Sequence, residues 1–399
     1  MVFFCAKSGE NHFWYIQVLN LLAGFRACIY QKRFAEQIDE QDEVLRMMFY
    51  FFSVLHRLFQ RKSVGSGGSE MEDMNEKILW EGYGIRFRGG TRTRTGLICR
   101  TDMGLRELKK PRGSGESLRL AFDVKEQLRK NGFINISRFY RTLEGEPFYR
   151  YDGILYTLED VMPPESLPEE KEDTFLRGAE TLGKMHHAAK GLQSESARWE
   201  EKRLPALYGK RRSQLAKIRR RNDRQRNYDA IDLLLIRYYD RFMEQAQQAE
   251  ELLKKGGYEA AVVQAAEKGA FCHNAYKGEA LRQNEKGEIF VGSFDKCSSE
   301  LPLADLAHYL RRYFKKTEGS AAGVAEMLER YGKHQPLSEN DLTILQGMLI
   351  YPEKFLRLVN EYYNKRRACV SPAMQERLAA AAKEEEKGRL LWDIVKKGC

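Results

Sequence analysis

The sequence predicts an α+β fold of two lobes, a small antiparallel β-sheet followed by a larger, mainly helical part. Three observations support it. Residues 84–110 alternate between apolar and polar side chains with glycines between the runs, as short strands do. An acidic connector with prolines follows at 159–173, and beyond it the apolar spacing is mainly helical. A chain of 399 residues that is 42% hydrophobic and 31% charged has a real core, which excludes disordered, collagen-like and multi-span membrane proteins.

The small lobe is assigned to residues 75–160. Strands are expected at 84–90, 96–101 and 105–110, each separated from the next by a turn. Apolar residues at helical spacing then predict a helix over 117–131, with Gly132 just past its end. Two further strands are expected at 138–142 and 147–158.

The helical lobe is assigned to residues 161–399. One β interruption is expected within it, at 270–272 and 289–294. A small sheet lobe joined to a helical lobe with an embedded hairpin is typical of folds that clamp a nucleotide. The predicted helices cover 175–188, 206–221, 228–254, 302–314, 321–331, 341–350, 352–366 and 374–396.

The first seventy residues differ from the rest. The apolar segments 13–30 and 44–59 are interrupted by polar and charged residues, so neither is a clean membrane span, and no signal-peptide cleavage site follows a basic start. A Gly/Ser-rich linker at 61–70 precedes two methionines. We therefore expect the natural product to start at Met71 or Met74; the alternative is an amphipathic anchor for a membrane or a partner.

The charge and the cysteine content limit the kinds of partner and bound metal that are expected for this chain. Seven scattered cysteines without a C-x-x-C pair indicate reduced thiols and no structural zinc. The formal charge is +10, and eleven of the Lys and Arg residues lie between Lys202 and Arg226. Leu207, Leu215 and Ile218 recur there at roughly helical spacing, which favours a solvated basic helix over a nucleic-acid surface.

Several short motifs, in their order and spacing, resemble a known family. The chain is similar to the kinase-like phosphotransferases of the aminoglycoside and choline kinase type, and more narrowly to the CotS-type spore coat proteins. The resemblance covers residues 75–399. The motifs that carry it are Thr101–Lys109 (TDMGLRELK), Asn131–Phe133 (NGF), Leu182–His186 (LGKMH), Phe271–His273 (FCH), and Phe294-Asp295 followed by Leu303–Ala307 (LADLA).

The resemblance implies a protein-kinase-like fold and a nucleotide-binding lysine at Lys109. A helix carboxylate holds that lysine in the family. Glu116 and Glu126 are the candidates here, and Glu126 is preferred. ATP and Mg²⁺ are the cofactors that the family implies, although their retention in this chain is an open question.

The catalytic loop departs from the family pattern His-x-Asp followed by four residues and Asn. Here the loop begins with His273 and Asn274, Ala275 stands where the proton-accepting Asp is expected, and Ala280 replaces the metal-binding Asn. A methyl group neither accepts a proton nor coordinates Mg²⁺. Ser293 occupies the position of the second metal-binding residue, an Asp in the family, and is a weak neutral ligand for a cation that prefers carboxylates.

Two nearby acids remain. Asp295 is a weak candidate for a displaced metal site, and the preferred interpretation is that it caps the turn at 296–299. Asp305 opens a predicted helix where the family uses an Asp to hold the loop backbone, so a structural role is expected. His186 is expected to be a packed helix residue. We find no intact catalytic set.

The resemblance therefore implies a CotS-like coat protein whose kinase-like fold is degenerate, a pseudokinase acting as a structural or assembly module. It would be made in the mother-cell cytoplasm and then join the spore coat, with coat proteins as partners. The alternative is an ATP-dependent small-molecule phosphotransferase (aminoglycoside, choline or homoserine kinase type) with an atypical active site.

Overall fold

The structure is a computed structural model that describes residues 68–94, 96–317, 319–364 and 372–397. The start-site and anchor hypotheses concern the segment 1–70, and positions 1–67 of it lie outside the described residues. Within them, the predicted α+β fold of a small antiparallel sheet lobe and a larger helical lobe is confirmed.

The small lobe is a five-stranded antiparallel sheet with strand order β1-β2-β3-β5-β4. The chain enters it through a helix and crosses it with a second one. The elements are α1 (Gly68–Tyr83), β1 (Phe87–Arg92), β2 (Leu97–Thr101), β3 (Gly104–Lys109), α2 (Gly115–Lys130), β4 (Tyr149–Tyr151) and β5 (Ile154–Asp160).

Helix α1 is a feature that the sequence analysis did not predict. Its residues Ile78 and Leu79 are fully buried against Cys99 of β2 and Leu158 of β5, in a small hydrophobic cluster separate from the main core. The helix therefore covers one side of the sheet. It begins at Gly68, inside the segment assigned to a linker.

The strand predicted at 147–158 is in fact a hairpin of β4 and β5. Asp152 and Gly153 have φ angles of 48° and 72°, so an Asp-Gly turn of the kind that closes two-residue hairpins reverses the chain. The strand predicted at 138–142 is also wrong. That segment makes one isolated bridge, between Phe139 and Glu159, because its contact with β5 is too short to form a ladder.

The helical lobe contains a three-stranded sheet of order β6-β7-β8. The strand predicted at 270–272 is wrong, since Cys272 makes a single bridge to Ser298. A helix at 258–268 was missed; it starts directly after Gly256 and Gly257. The elements are β6 (Glu165–Ser166), α3 (Glu172–Ala188), α4 (Arg203–Asn222), α5 (Ala230–Lys255), α6 (Tyr258–Lys268), β7 (Leu281–Gln283), β8 (Ile289–Val291), a 3-10 turn (Phe294–Lys296), α7 (Leu303–Lys316), α8 (Ala321–Gly332), α9 (Glu339–Ile350), α10 (Glu353–Asn364) and α11 (Pro372–Lys397).

Helix α4 carries the basic segment, and its helical form is as predicted. Leu215 and Ile218 are buried. Several of its arginines are held in ion pairs: Arg211 with Glu353, Arg212 with Glu250, and Arg219 with Asp223. No helix within the described residues is long and apolar enough to span a membrane.

Candidate functional site

A cleft of about 280 Å³ lies where the sheet lobe meets the helical lobe. Its upper wall comes from β1 to β3 and its lower wall from the loop before β7 and the turn after β8. The connection between the lobes closes its back. The lining residues are Thr93, Ile98, Glu107, Lys109, Val161, Met162, Pro163, Pro164, Glu279, Ala280, Arg282, Gly292 and Ser293.

Lys109 ends strand β3 and faces this cleft, as the resemblance implies. Its Nζ lies 3.2 Å from Glu107 Oε2 and 3.3 Å from Glu159 Oε2. Burial alone would lower the pKa of Lys109, but the two carboxylates outweigh it and raise that pKa. Lys109 is therefore a charged group whose two neighbouring acids already neutralise it.

The two acids lie directly opposite each other on neighbouring strands, since Glu107 of β3 pairs in register with Glu159 of β5. Like charges in that position repel, so cations must compensate them. Lys109 is one of them. Lys125 of α2 is the other: it is 1% exposed, and its Nζ donates to Glu159 Oε2 at 2.8 Å.

Glu159 is the centre of this network. Its Oε2 also accepts a hydrogen bond from Ser137 Oγ at 2.6 Å. Burial by itself would raise the pKa of Glu159, but Lys109 and Lys125 lower it to about 2. Burial lowers the pKa of Lys125 in turn. Two lysines and two glutamates thus form a closed, charge-balanced cluster behind the cleft.

The predicted pairing of Glu126 with Lys109 is wrong. Glu126 is exposed on the outer face of α2, and the residue that faces inward is its neighbour Lys125. The other candidate, Glu116, lies 3.7 Å from Arg198 instead. In this chain both carboxylates beside Lys109 come from strands, and the helix contributes a second cation, Lys125, instead of the carboxylate expected from the family.

The degenerate loop is nonetheless firmly held. Asp305, in the first turn of α7, accepts hydrogen bonds from the backbone N–H of His273 at 2.5 Å and of Asn274 at 2.8 Å. His186 Nε2 lies 3.2 Å from the same carboxylate. Although burial would raise the pKa of Asp305, these partners lower it to about 2. This is the loop-holding geometry expected of Asp305.

His273 supports the loop from inside. It is fully buried, its Nε2 donates to Gly292 O at 2.8 Å, and its Nδ1 accepts from Ala275 N–H at 3.2 Å. Burial lowers the pKa of His273, which fits the neutral tautomer that these partners require. Both ring nitrogens are therefore occupied by structural contacts.

The reaction positions contain groups that cannot do the expected chemistry. Ala275 is 6% exposed and Ala280 is 2% exposed, and each presents a methyl group. Ser293 adopts a φ of 60°, a conformation that L-residues rarely adopt, so the backbone keeps a special geometry although the side chain is only a hydroxyl. Asn274 shares that conformation, with a φ of 59°.

The residues present do not fit a Mg²⁺ site. No group of three His, Cys, Asp or Glu side chains in the described part of the chain is arranged to hold a metal ion. Asp295 lies in the 3-10 turn and is half-buried. A hard cation requires several oxygen ligands, and no further acidic side chain of the described residues joins Asp295 in such a set.

An ion pair spans the mouth of the cleft. Arg94, in the turn between β1 and β2, donates to Glu279 of the loop at 2.7 Å. Both side chains are strongly exposed, so the pair adds little stability. The pair links the turn between β1 and β2 in the sheet lobe to the loop before β7 in the helical lobe.

Comparison with known proteins fits this geometry. Residues 76–391 match the family described as "Spore coat putative kinase YutH". The chain belongs to this YutH family. The resemblance read from the motifs is thereby confirmed.

Curated relatives of this YutH-family chain include two proteins of Bacillus subtilis (strain 168). It is 22% identical to spore coat protein S over 270 residues, which are 67% of this chain and 76% of that protein. It is 25% identical to the endospore coat-associated protein YutH over 237 residues, 57% of this chain and 65% of that protein.

Solved structures show the fold. An aminoglycoside phosphotransferase from Alicyclobacillus acidocaldarius superposes with a TM-score of 0.68 at 15% identity, over 84% of this chain and 98% of that one. An AMP-bound spectinomycin phosphotransferase gives 0.56 at 13% identity, over 79% and 98%. At such identities the likeness concerns the kinase-like fold alone.

Two buried carboxyl groups with depressed pKa values, Glu159 and Asp305, contribute to the acid dependence of stability in this YutH-family member. Glu159 and Asp305 titrate near 2 when folded and near 4.5 and 3.8 when unfolded. Their contribution is therefore present above about pH 4.5 and is lost as the pH falls toward 2. We expect a loss on the order of 2–3 kcal/mol for each. Denaturant unfolding at pH 6, 4 and 3 measures it, and Glu159→Gln should flatten the slope whereas Glu126→Gln should not.

Proposed function

We propose that this chain is a structural or assembly module of the spore coat, built on a kinase-like scaffold that has lost phosphoryl transfer. It would be made in the mother-cell cytoplasm and would then join the coat, where its +10 charge favours acidic protein partners. Both curated relatives are coat proteins by name, which supports the location.

One observation supports the loss of chemistry above all others. Ala275, Ala280 and Ser293 replace the base and both metal ligands, while Asp305 and His273 still hold the loop. Phosphoryl transfer depends almost entirely on positioning and on electrostatic stabilisation by those groups. We expect this pattern, in which the reacting groups are lost and the support of the loop is retained, in a chain that serves as a scaffold and no longer catalyses the reaction.

The alternative is a small-molecule phosphotransferase with an atypical site. Lys109 at the cleft favours it, since a lysine there would face nucleotide phosphates. The ion pairs of Lys109 oppose it: its Nζ lies 3.2 Å from Glu107 Oε2 and 3.3 Å from Glu159 Oε2, so both carboxylates compete with a phosphate for this lysine. Asn274 offers no base, because its amide is essentially non-basic.

A transfer assay tests the proposal. The full chain is incubated with MgATP and a panel of amino-alcohol and aminoglycoside acceptors, and ADP release is followed. We expect the background rate. A variant combining Ala275→Asp, Ala280→Asn and Ser293→Asp serves as the matched control, and we expect it to gain Mg²⁺-dependent nucleotide binding. Turnover by the wild-type chain would contradict the proposal.

A further inference from the structure

A second cavity, of about 480 Å³, lies within the helical lobe. It shares no lining residue with the cleft between the lobes. Helices α6, α7, α8 and α9 contribute its walls. Its volume falls in the range of roughly 300–1,000 Å³ that is typical of small-molecule pockets.

One side of this cavity is apolar. Ala260, Ala261 and Ala265 line it from α6, and Leu303 and Leu337 line it from the facing elements. The alanines are small enough to leave a hollow that a compact apolar group can fill. Burying such a group there would be favourable by about 25 cal/mol per Å² of apolar surface removed from water.

The rim of the cavity is positively charged. Lys190 and Lys268 are exposed there, and neither makes an ion pair with another described residue. Asp341 is the acid in the lining, and its carboxylate already accepts hydrogen bonds from the backbone N–H of Ser338 at 2.9 Å and from its hydroxyl at 2.6 Å. The two lysines are thus available to a ligand.

Helix ends add to this potential. Helices α6 and α7 both begin at the cavity wall, and neither of their N-cap residues, Gly257 and Pro302, supplies a side-chain cap. Their first N–H groups contribute positive partial charge. These N–H groups add to the positive charge of the two lysines. The lysines and the apolar wall remain the main features of the cavity.

We propose that this cavity binds an amphipathic anion, a compact apolar body with a carboxylate, sulfonate or phosphate head. The head lies beside Lys190 and Lys268, and the body packs against the alanine and leucine wall. At the floor, His186 and Tyr331 are buried and hydrogen-bonded to each other at 2.9 Å. His186 also contacts Asp305, so the site adjoins the residue that holds the degenerate loop.

The test uses 1-anilinonaphthalene-8-sulfonate, an apolar anion whose fluorescence rises on binding, with the full-length chain. We expect saturable binding. The double variant Lys190→Glu/Lys268→Glu should weaken it at least about tenfold. Ala260→Phe, at an exposed position of the wall, should fill the cavity and also weaken it. Val263→Phe on the same helix does not line the cavity and is the matched control.

Competition identifies the ligand class. Octanoate should displace the dye, whereas octyltrimethylammonium of the same chain length should not, and inorganic phosphate alone should compete only weakly. Equal dye binding by the wild type and by both cavity variants would overturn the proposal, as would equal displacement by the anion and the cation. The variant with Ala275→Asp, Ala280→Asn and Ser293→Asp changes only the degenerate loop and the cleft between the lobes, so its affinity for the dye should equal that of the wild type. This site is therefore tested independently of the proposed loss of phosphoryl transfer.

Discussion

Replacing Glu159 by Ala is expected to lower the free energy of unfolding by about 3–5 kcal/mol, the usual cost of breaking a buried ion pair. Glu159 is 5% exposed, and its partner Lys125 is 1% exposed. Removing the carboxylate takes away the anion that Lys125 Nζ contacts at 2.8 Å, in a site closed by Phe139, whose ring centroid lies 3.7 Å from that nitrogen. Denaturant unfolding at pH 7 measures the loss.

Two controls separate this effect from general damage to the sheet lobe. Glu126→Ala removes an exposed acid from the outer face of the same helix and should cost less than about 0.5 kcal/mol. The double variant Lys125→Met/Glu159→Gln removes both charges, so its loss of stability should be smaller than the sum of the losses in the single variants Lys125→Met and Glu159→Gln. A Glu159→Ala protein as stable as Glu126→Ala would contradict the assigned network.

Replacing Asp305 by Ala is the second large effect, again of about 3–5 kcal/mol. The change removes the acceptor of the buried N–H of His273 and of the partly buried N–H of Asn274, and it removes the carboxylate beside His186. We expect faster hydrogen exchange at those two amides in addition to the lower stability. Asp305→Asn should be milder, because its amide oxygen still accepts one bond.

Asp295→Ala is the matched control for this loop. Asp295 lies in the neighbouring 3-10 turn and is half-buried. Its carboxylate makes no hydrogen bond to another described residue. Its removal should change stability by less than about 1 kcal/mol. If Asp295→Ala loosened the loop as much as Asp305→Ala did, the assignment of loop support to Asp305 would be wrong.

The loop could be predicted because its chemistry depends on spacing. Counting from His273 locates Ala275 and Ala280 whatever the surrounding structure, and the helix that starts two residues before Asp305 is strongly amphipathic. The two-lobed fold was predictable for a similar reason, since the period of apolar residues changes from two to helical at the connector.

The charge cluster could not be predicted with the same reasoning, because it depends on which face of each element is covered. Lys125 shares the inward phase of α2 with Leu118 and Leu128, a signal in the sequence that was outweighed by the expectation of a helix carboxylate. Strand β5 is buried on both faces: Leu158 packs against the α1 side, and Glu159 therefore faces α2. Because α1 was absent from the predicted fold, burial of both faces of β5 was not expected.

Thermal unfolding of the full chain with several millimolar ATP, in Mg²⁺ or in EDTA, tests the proposed loss of the metal site most directly. A ligand that binds only the folded state at 100 times its dissociation constant adds about 2.7 kcal/mol of stability. We expect the same midpoint in Mg²⁺ and in EDTA for the wild type, and a Mg²⁺-dependent rise for the variant with Ala275→Asp, Ala280→Asn and Ser293→Asp. A rise of several degrees in the wild-type chain that requires Mg²⁺ would show a working metal–nucleotide site and contradict a scaffold without phosphoryl transfer.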